Sequence, residues 1–256
     1  MVLRGSPEGY STPLQAPLYT GPRIEYWDVE AVIVLATFKR ESVEPILPEG
    51  LEAPGDPLLG VLWIGHYPFS TVGVYDEFLV ALQVLRDGEL GYYVPYIYVT
   101  NDAALAAGRE VLGAPKKLAD IRLVKGVGSS VVGEARRGSM EAIVEVKPES
   151  YADEGTLRAL IPEEGVDMYS LRLLPPAGES EGVAQLVHWK AYMYFQRRPS
   201  GRVSAMMGPA RASLRGSVED PIDSLGLAGA EQGFYAVFDM TLEPRRVVVE
   251  WRVKPS

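Results

Sequence analysis

The chain has no cysteine, which excludes a disulfide framework, thiolate catalysis, iron–sulfur clusters and zinc sites built on cysteine. Its two histidines, His66 and His188, are too few for a histidine-rich metal cage, and no metal site is expected. Positive charge is short as well. With 25 Lys and Arg against 34 Asp and Glu, the net charge is −9. Binding a nucleic-acid backbone or an anionic lipid surface needs the opposite balance, so neither is an expected partner. Long apolar runs are missing too. The longest, Ala31–Phe38 and Phe78–Leu85, fall far below the ~20 residues of a membrane-spanning helix. At the start, Met1-Val2-Leu3-Arg4-Gly5-Ser6-Pro7 breaks into charge, glycine and proline where a signal peptide would be apolar, so a cytoplasmic protein is expected. No phosphate-cradling glycine loop and no Gly-x-Ser-x-Gly elbow occurs.

What the chain does have is 47% hydrophobic residues, enough for a full core, and 26 glycines with 20 prolines, which favour turns and short strands over long helices. Residues 1–22, with Ser6-Pro7, Thr12-Pro13, Ala16-Pro17 and Gly21-Pro22, read as an extended arm. β-Branched and aromatic runs predict strands over Glu30–Thr37, Leu58–Tyr67, Val74–Leu85 and Gly91–Thr100, with an Asp87-Gly88 turn between the last two. Pro95 predicts an edge position or a bulge. Further strands are expected over Asp120–Val124, Ser129–Arg136, Ser139–Val146, Tyr169–Leu174, Ala184–Phe195 and Val203–Met207. Gly233–Leu242 and Arg245–Val253 read as a closing antiparallel pair. Helices are few: Arg40–Leu47, Ala103–Val111 behind an Asn101-Asp102 cap, and Asp220–Leu227. Lys147–Gly165 and Pro175–Gly182 read as polar loops. The expectation is a single domain over residues 1–256, mostly β (β-rich α+β), an antiparallel barrel or stacked sheets.

His66, at a strand end, and His188, in Leu186-Val187-His188-Trp189, read as structural histidines. The chemistry points elsewhere, to Val111-Leu112-Gly113-Ala114-Pro115-Lys116-Lys117-Leu118-Ala119. Most lysine pairs are solvated surface, but apolar flanks are unusual around two exposed charges. An ammonium drawn into apolar surroundings loses hydration, and a second ammonium nearby disfavours it further. Bringing an ordinary lysine to neutrality at pH 7 costs about 4–5 kcal/mol, and the reward is an amine that can attack a carbonyl and form an imine.

Gly108-Arg109-Glu110, four residues, then Pro115-Lys116-Lys117-Leu118, closely resembles the acetoacetate decarboxylase family. The resemblance extends to Ser11-Thr12-Pro13-Leu14, Gly21-Pro22, Pro48-Glu49-Gly50-Leu51-Glu52, Gly73-Val74-Tyr75-Asp76-Glu77 and Gly208-Pro209-Ala210-Arg211. It implies a β-rich barrel or cone with the lysine in an interior cavity, a homo-oligomer, and imine chemistry without metal or organic cofactor. Carried over by position, Lys116 matches the imine-forming lysine, Lys117 its cationic neighbour, Glu77 a cavity glutamate and Glu110 an acid just before the lysines. Alternation along Val74–Leu85 puts Tyr75, Glu77 and Leu79 on one face.

Two departures stand out. The decarboxylase branch carries an arginine where this chain has Glu25-Tyr26-Trp27-Asp28-Val29-Glu30, and a second cavity glutamate where this chain has Val61 or Leu62. The reading is a Schiff-base lyase that decarboxylates a β-keto acid. The alternative is an aldolase-dehydratase that condenses pyruvate with an aldehyde through the same imine, with Tyr235 as a candidate proton shuttle. Tyr75, Tyr93 and Tyr96 are further candidates for the cavity wall. A third reading is a barrel that only binds a small apolar ligand.

Overall fold

The run Ile24–Phe38 (β1) is buried over most of its length on both faces, which is why it reads as a continuous apolar stretch rather than an alternating one. The computed structural model describes residues 11–126 and 129–255. In chain order the strands after β1 are β2 (Leu58–Tyr67), β3 (Phe69–Ser70), β4 (Tyr75–Arg86), β5 (Glu89–Val99), β6 (Lys116–Leu118), β7 (Asp120–Lys125), β8 (Val131–Arg137) and β9 (Met140–Val146). Then come β10 (Ser150–Tyr151), β11 (Val166–Leu174), β12 (Gly182–Phe195), β13 (Ala205–Arg215) and β14 (Leu227–Val253). The helices are short: α1 (Arg40–Val43), α2 (Asp102–Ala107) and α3 (Glu154–Leu160). The mostly β expectation holds.

Strand pairings form a closed ring. β1 pairs with β2, β2 with β4, β4 with β5, β5 with β11, β11 with β12, β12 with β14, and β14 returns to β1. All are antiparallel except β5–β11, so the sheet is mixed; β6 also lies parallel to β5. A second layer, β7–β8–β9, is joined to the ring through β13.

Alternation sorts the core in two. Ile33 on β1, Trp63 on β2 and Ala81 on β4 point into the ring and belong to one cluster. Val32, Val34, Leu62, Ile64, Phe78 and Val80 point outward from the same three strands and pack against Ile121, Ala135 and Val144 of the second layer. Both faces of these strands are therefore dry.

Several expectations are met locally. The β4–β5 hairpin turns through Asp87 (φ 52°) and Gly88 (φ 85°), both in the left-handed region that this tight turn demands. Pro95 falls where the β4–β5 register slips between Val80 and Leu82, so it occupies a bulge and not an edge. Asn101 caps α2 by accepting from the Ala104 N–H at 2.9 Å. Residues 11–22 carry no strand or helix, as expected of an arm; residues 1–10 lie outside the described residues.

Other expectations are corrected. Gly233–Leu242 and Arg245–Val253 are not a hairpin pair but parts of one continuous strand, β14. Its first part pairs with β1 and its last part with β12, so no turn is needed at Pro244. β13 runs eight residues past Met207, crossing from β14 to β9 at Gly208-Pro209. A Cβ at Gly208 would lie 1.9 Å from the Lys147 carbonyl oxygen, so only glycine fits that crossing. The region read as a loop over Lys147–Gly165 holds β10 and α3. Among the described residues, no helix is long and apolar enough to cross a membrane.

Candidate active site

β6 is only three residues long, but its alternation separates the two lysines. Lys116 points inward and is 2% exposed. Lys117 points outward, and its Nζ donates to Asp220 Oδ1 at 2.7 Å and to the Glu219 carbonyl at 2.8 Å. One lysine therefore faces the cavity, and its neighbour is anchored outside it.

What aims Lys116 is the segment before it. α2 does not continue as an α-helix to Val111. It changes at Gly108 into a π-helical turn over Gly108–Leu112, which Gly113 ends in the left-handed conformation (φ 72°). A Cβ at Gly108 would lie 2.4 Å from Lys116 Cδ and 2.6 Å from Cε, so the glycine makes the channel for the lysine stem. The Arg109 guanidinium donates to the Lys116 carbonyl at 3.2 Å and holds the backbone of β6.

Glu77 on β4 faces the same interior and is 4% exposed. Its Oε2 lies 2.8 Å from Lys116 Nζ. Its Oε1 accepts from the Tyr67 hydroxyl at 3.0 Å, and Tyr67 in turn accepts from the Trp63 indole N–H at 3.1 Å. Tyr75 donates to the Tyr26 hydroxyl at 3.0 Å, with Glu77 Oε2 at 3.5 Å, and its ring centroid lies 5.4 Å from Lys116 Nζ. Burial, with the Glu77 charge adding to it, pushes the phenols of Tyr26, Tyr67 and Tyr75 well above the ordinary tyrosine range. All three therefore stay protonated at neutral pH and act as hydrogen-bond groups. They cannot serve as bases.

The pair opens on a cavity of about 110 Å³ inside the ring. Among its 26 lining residues Lys116 and Glu77 are the one base and the one carboxylate; the rest are aliphatic, aromatic or methionine side chains. Val61 lines it while Leu62 packs outward, so the place of the second carboxylate implied by resemblance is filled by valine. Within 25–30, where that resemblance implies an arginine, Tyr26 is the residue whose side chain reaches the cluster.

Asp220 anchors Lys117 from a buried position, 1% exposed. Burial alone would raise its carboxyl. Hydrogen bonds from Lys117 and Tyr98 and the charges of Lys117 and Arg137 outweigh that and hold it below its ordinary value.

Two candidates lie elsewhere. Tyr235 is not in the cavity: on β14 it is Phe234 and Ala236 that face inward, and Tyr235 points to the other side, donating to Glu30 Oε2 at 2.8 Å. Glu110 is exposed on the π-helical turn, where it accepts from Tyr19 at 2.7 Å and so ties down the arm. Of the tyrosines expected on the cavity wall, Tyr93 packs in a separate cluster with Tyr169 and Leu186, Tyr96 packs on the outward side of the ring, and Tyr75 sits behind Glu77; the tyrosine of β5 that lines the cavity is Tyr92. His66 and His188 pair with Asp76 and Asp167 at 2.7 and 2.6 Å, outside the cavity. The sequence reading missed Tyr67, Tyr26 and Asp220. Tyr67 was findable, since on β2 it shares the face of Val61 and Trp63, six residues after Val61. Among the described residues no cluster of side chains is suited to a metal ion.

The family model for acetoacetate decarboxylase (ADC) matches residues 11–250. An acetoacetate decarboxylase of Mesorhizobium japonicum is 33% identical over 131 residues, a stretch covering 51% of this chain and 50% of that relative. A solved acetoacetate decarboxylase of Legionella pneumophila superposes with a TM-score of 0.79 at 22% identity, covering 98% of this chain and 99% of the other. The enduracididine biosynthesis enzyme MppR, complexed with the condensation product of pyruvate and imidazole 4-carboxaldehyde, superposes with a TM-score of 0.73 at 20% identity, covering 94% and 97%. The two superpositions show that the fold is shared.

Proposed function

The chain belongs to the acetoacetate decarboxylase family, and from that premise we propose that it decarboxylates a β-keto acid through an imine on Lys116. The observation that carries the reading is a buried amine 2.8 Å from a buried carboxylate, on the wall of a cavity that is otherwise apolar.

Imine formation needs a neutral amine. Glu77 Oε2, 2.8 Å from Nζ, is placed to take the proton that the amine must lose before it attacks. Nζ then attacks the keto carbon. The carbonyl oxygen leaves as water after two protonations, which Glu77 can supply in part, and a protonated imine remains. The bond between the α-carbon and the carboxylate breaks. Its electron pair forms the enamine double bond, the iminium nitrogen becomes neutral, and CO2 departs. Protonation of the α-carbon regenerates the iminium, and water releases the methyl ketone and the free amine. The substrate carboxylate has no cation on the wall except the iminium itself and lies near Glu77, an arrangement that favours loss of CO2 over retention of the acid. Tyr67 orients Glu77 for both proton transfers.

The same charge pattern weighs against condensation of pyruvate, whose carboxylate is kept through the reaction and would stay buried without a fixed cation. Purified protein with a β-keto acid should release CO2 and methyl ketone in equal amounts. Consumption of pyruvate and an aldehyde, with no CO2 from any β-keto acid, would contradict the proposal and favour the condensing reaction.

A further inference from the structure

The wall of the cavity spends its only cation and its only carboxylate on each other. Among the described residues lining it, Lys116 and Glu77 form that pair, and no second base is available to receive another charged group of a substrate. The rest of the lining is aliphatic, aromatic or methionine and comes from around the ring and from α3: Leu79 of β4, Leu157 and Leu160 of α3, Met168 of β11, Met193 of β12 and Phe234 of β14. A carboxylate or ammonium at the far end of a substrate would be buried there unpaired, which is strongly unfavourable. An alkyl tail would be transferred from water to a dry wall. The methionines are unbranched thioethers that reshape readily around such a tail.

Size points the same way. The cavity, at about 110 Å³, is several times the ~10–15 Å³ that one water needs, so it has room beyond the roughly seven non-hydrogen atoms of acetoacetate.

We infer that the substrate is a monocarboxylic 3-oxo acid whose apolar acyl tail is roughly two to four carbons longer than that of acetoacetate. The inference rests on the decarboxylation reading and names its substrate class: R–CO–CH2–COO⁻ takes up one proton and gives R–CO–CH3 and CO2, with R apolar. The tail is gripped equally before and after CO2 leaves, so its contribution falls on capture of the substrate and is read in kcat/KM.

The test is kcat/KM for acetoacetate, 3-oxohexanoate, 3-oxooctanoate and 3-oxohexanedioate, with borohydride trapping of each acid in parallel. Each methylene buried on the wall should raise kcat/KM about fourfold, giving roughly 15-fold from acetoacetate to 3-oxohexanoate and a further rise to 3-oxooctanoate. The diacid of the same length, 3-oxohexanedioate, should fall at least ~100-fold below 3-oxohexanoate because its second carboxylate finds no partner. Ala191→Leu, which fills part of the wall, should cut the 3-oxooctanoate to acetoacetate ratio by about tenfold or more. A flat series, or a diacid turned over as well as the monoacid, with the Lys116 adduct still forming, overturns the inference and leaves the imine reading standing. No adduct with any of the four acids overturns that reading and the inference with it.

Discussion

Lys116 and Lys117 are adjacent in sequence and opposite in environment, a difference set by the two-residue period of a strand. Lys117 ends on Asp220, whose carboxyl is held low. A depressed carboxyl contributes stability above its unfolded value, near ~3.9, and loses it as pH falls through the folded value. The acid limb of the melting curve below pH ~4 should therefore flatten in Asp220→Asn. At neutral pH that variant should be less stable by about 1–3 kcal/mol, less than the ~3–5 of a fully buried broken pair because Lys117 can turn to solvent. Thermal melts across pH 2–7 check both. Tyr67→Phe removes the donor to Glu77 Oε1, a hydrogen bond to a charged group worth about 1.5–3 kcal/mol. Turnover should drop roughly 10- to 150-fold with little change in KM, as steady-state kinetics on a β-keto acid would report. Glu77 was legible through the family resemblance of Gly73–Glu77, and Lys116 through that of Pro115–Leu118 together with its apolar flanks. Tyr235 was misread because β14 has large side chains on both faces, Phe234 inward and Tyr235 outward, and nothing local in such a strand fixes which face is inside.

At the scale of elements, the device that presents the amine is the π-helical turn between α2 and β6. A turn of this kind inserts an extra residue and re-aims the chain on its C-terminal side. Gly108→Ala would add a carbon 2.4 Å from the Lys116 stem while improving local helix propensity. The fold should survive, and the displaced amine should cost on the order of 10²-fold in rate, the usual effect of a misplacement of about 1 Å. Circular dichroism alongside turnover separates the two outcomes. Existence and type of most strands could be read from β-branched runs, and the Asp87-Gly88 turn and Asn101 cap from their side-chain chemistry. Two elements could not. α3 is seven residues long and contains Gly155; its one cue, Asp153 accepting from Thr156 N–H at 2.9 Å, is a short-range capping signal inside a polar stretch. β14 carries Pro244 opposite Trp189, beside a slip in the β12–β14 register, and a proline in an apparent turn looks locally the same as a proline at such an irregularity.

At the scale of the molecule, β1, β2 and β4 are packed on their outer face against β7–β9 and line an apolar cavity with their inner face. That is the condition under which one ion pair can control a reaction. The same cavity has Val61 and Tyr26 in regions where the family resemblance implies a glutamate and an arginine. Acetoacetate itself should accordingly be a weak substrate, with kcat below ~100 s⁻¹; a faster rate measured by CO2 release would show that those groups are dispensable. We also propose that copies of this chain associate, as the family resemblance implies, with Trp27 and Phe69 as contact residues: they face each other across β1 and β3 and stand 45% and 63% exposed. Light scattering should give a multiple of 28.0 kDa, and a single species of that mass would refute it. The central claim is the imine on Lys116. Borohydride reduction in the presence of a β-keto acid, with intact-mass measurement and peptide mapping of the product, should give one stable adduct per chain on Lys116, absent in Lys116→Met. An adduct on Lys117, or none while CO2 is still released, would contradict it.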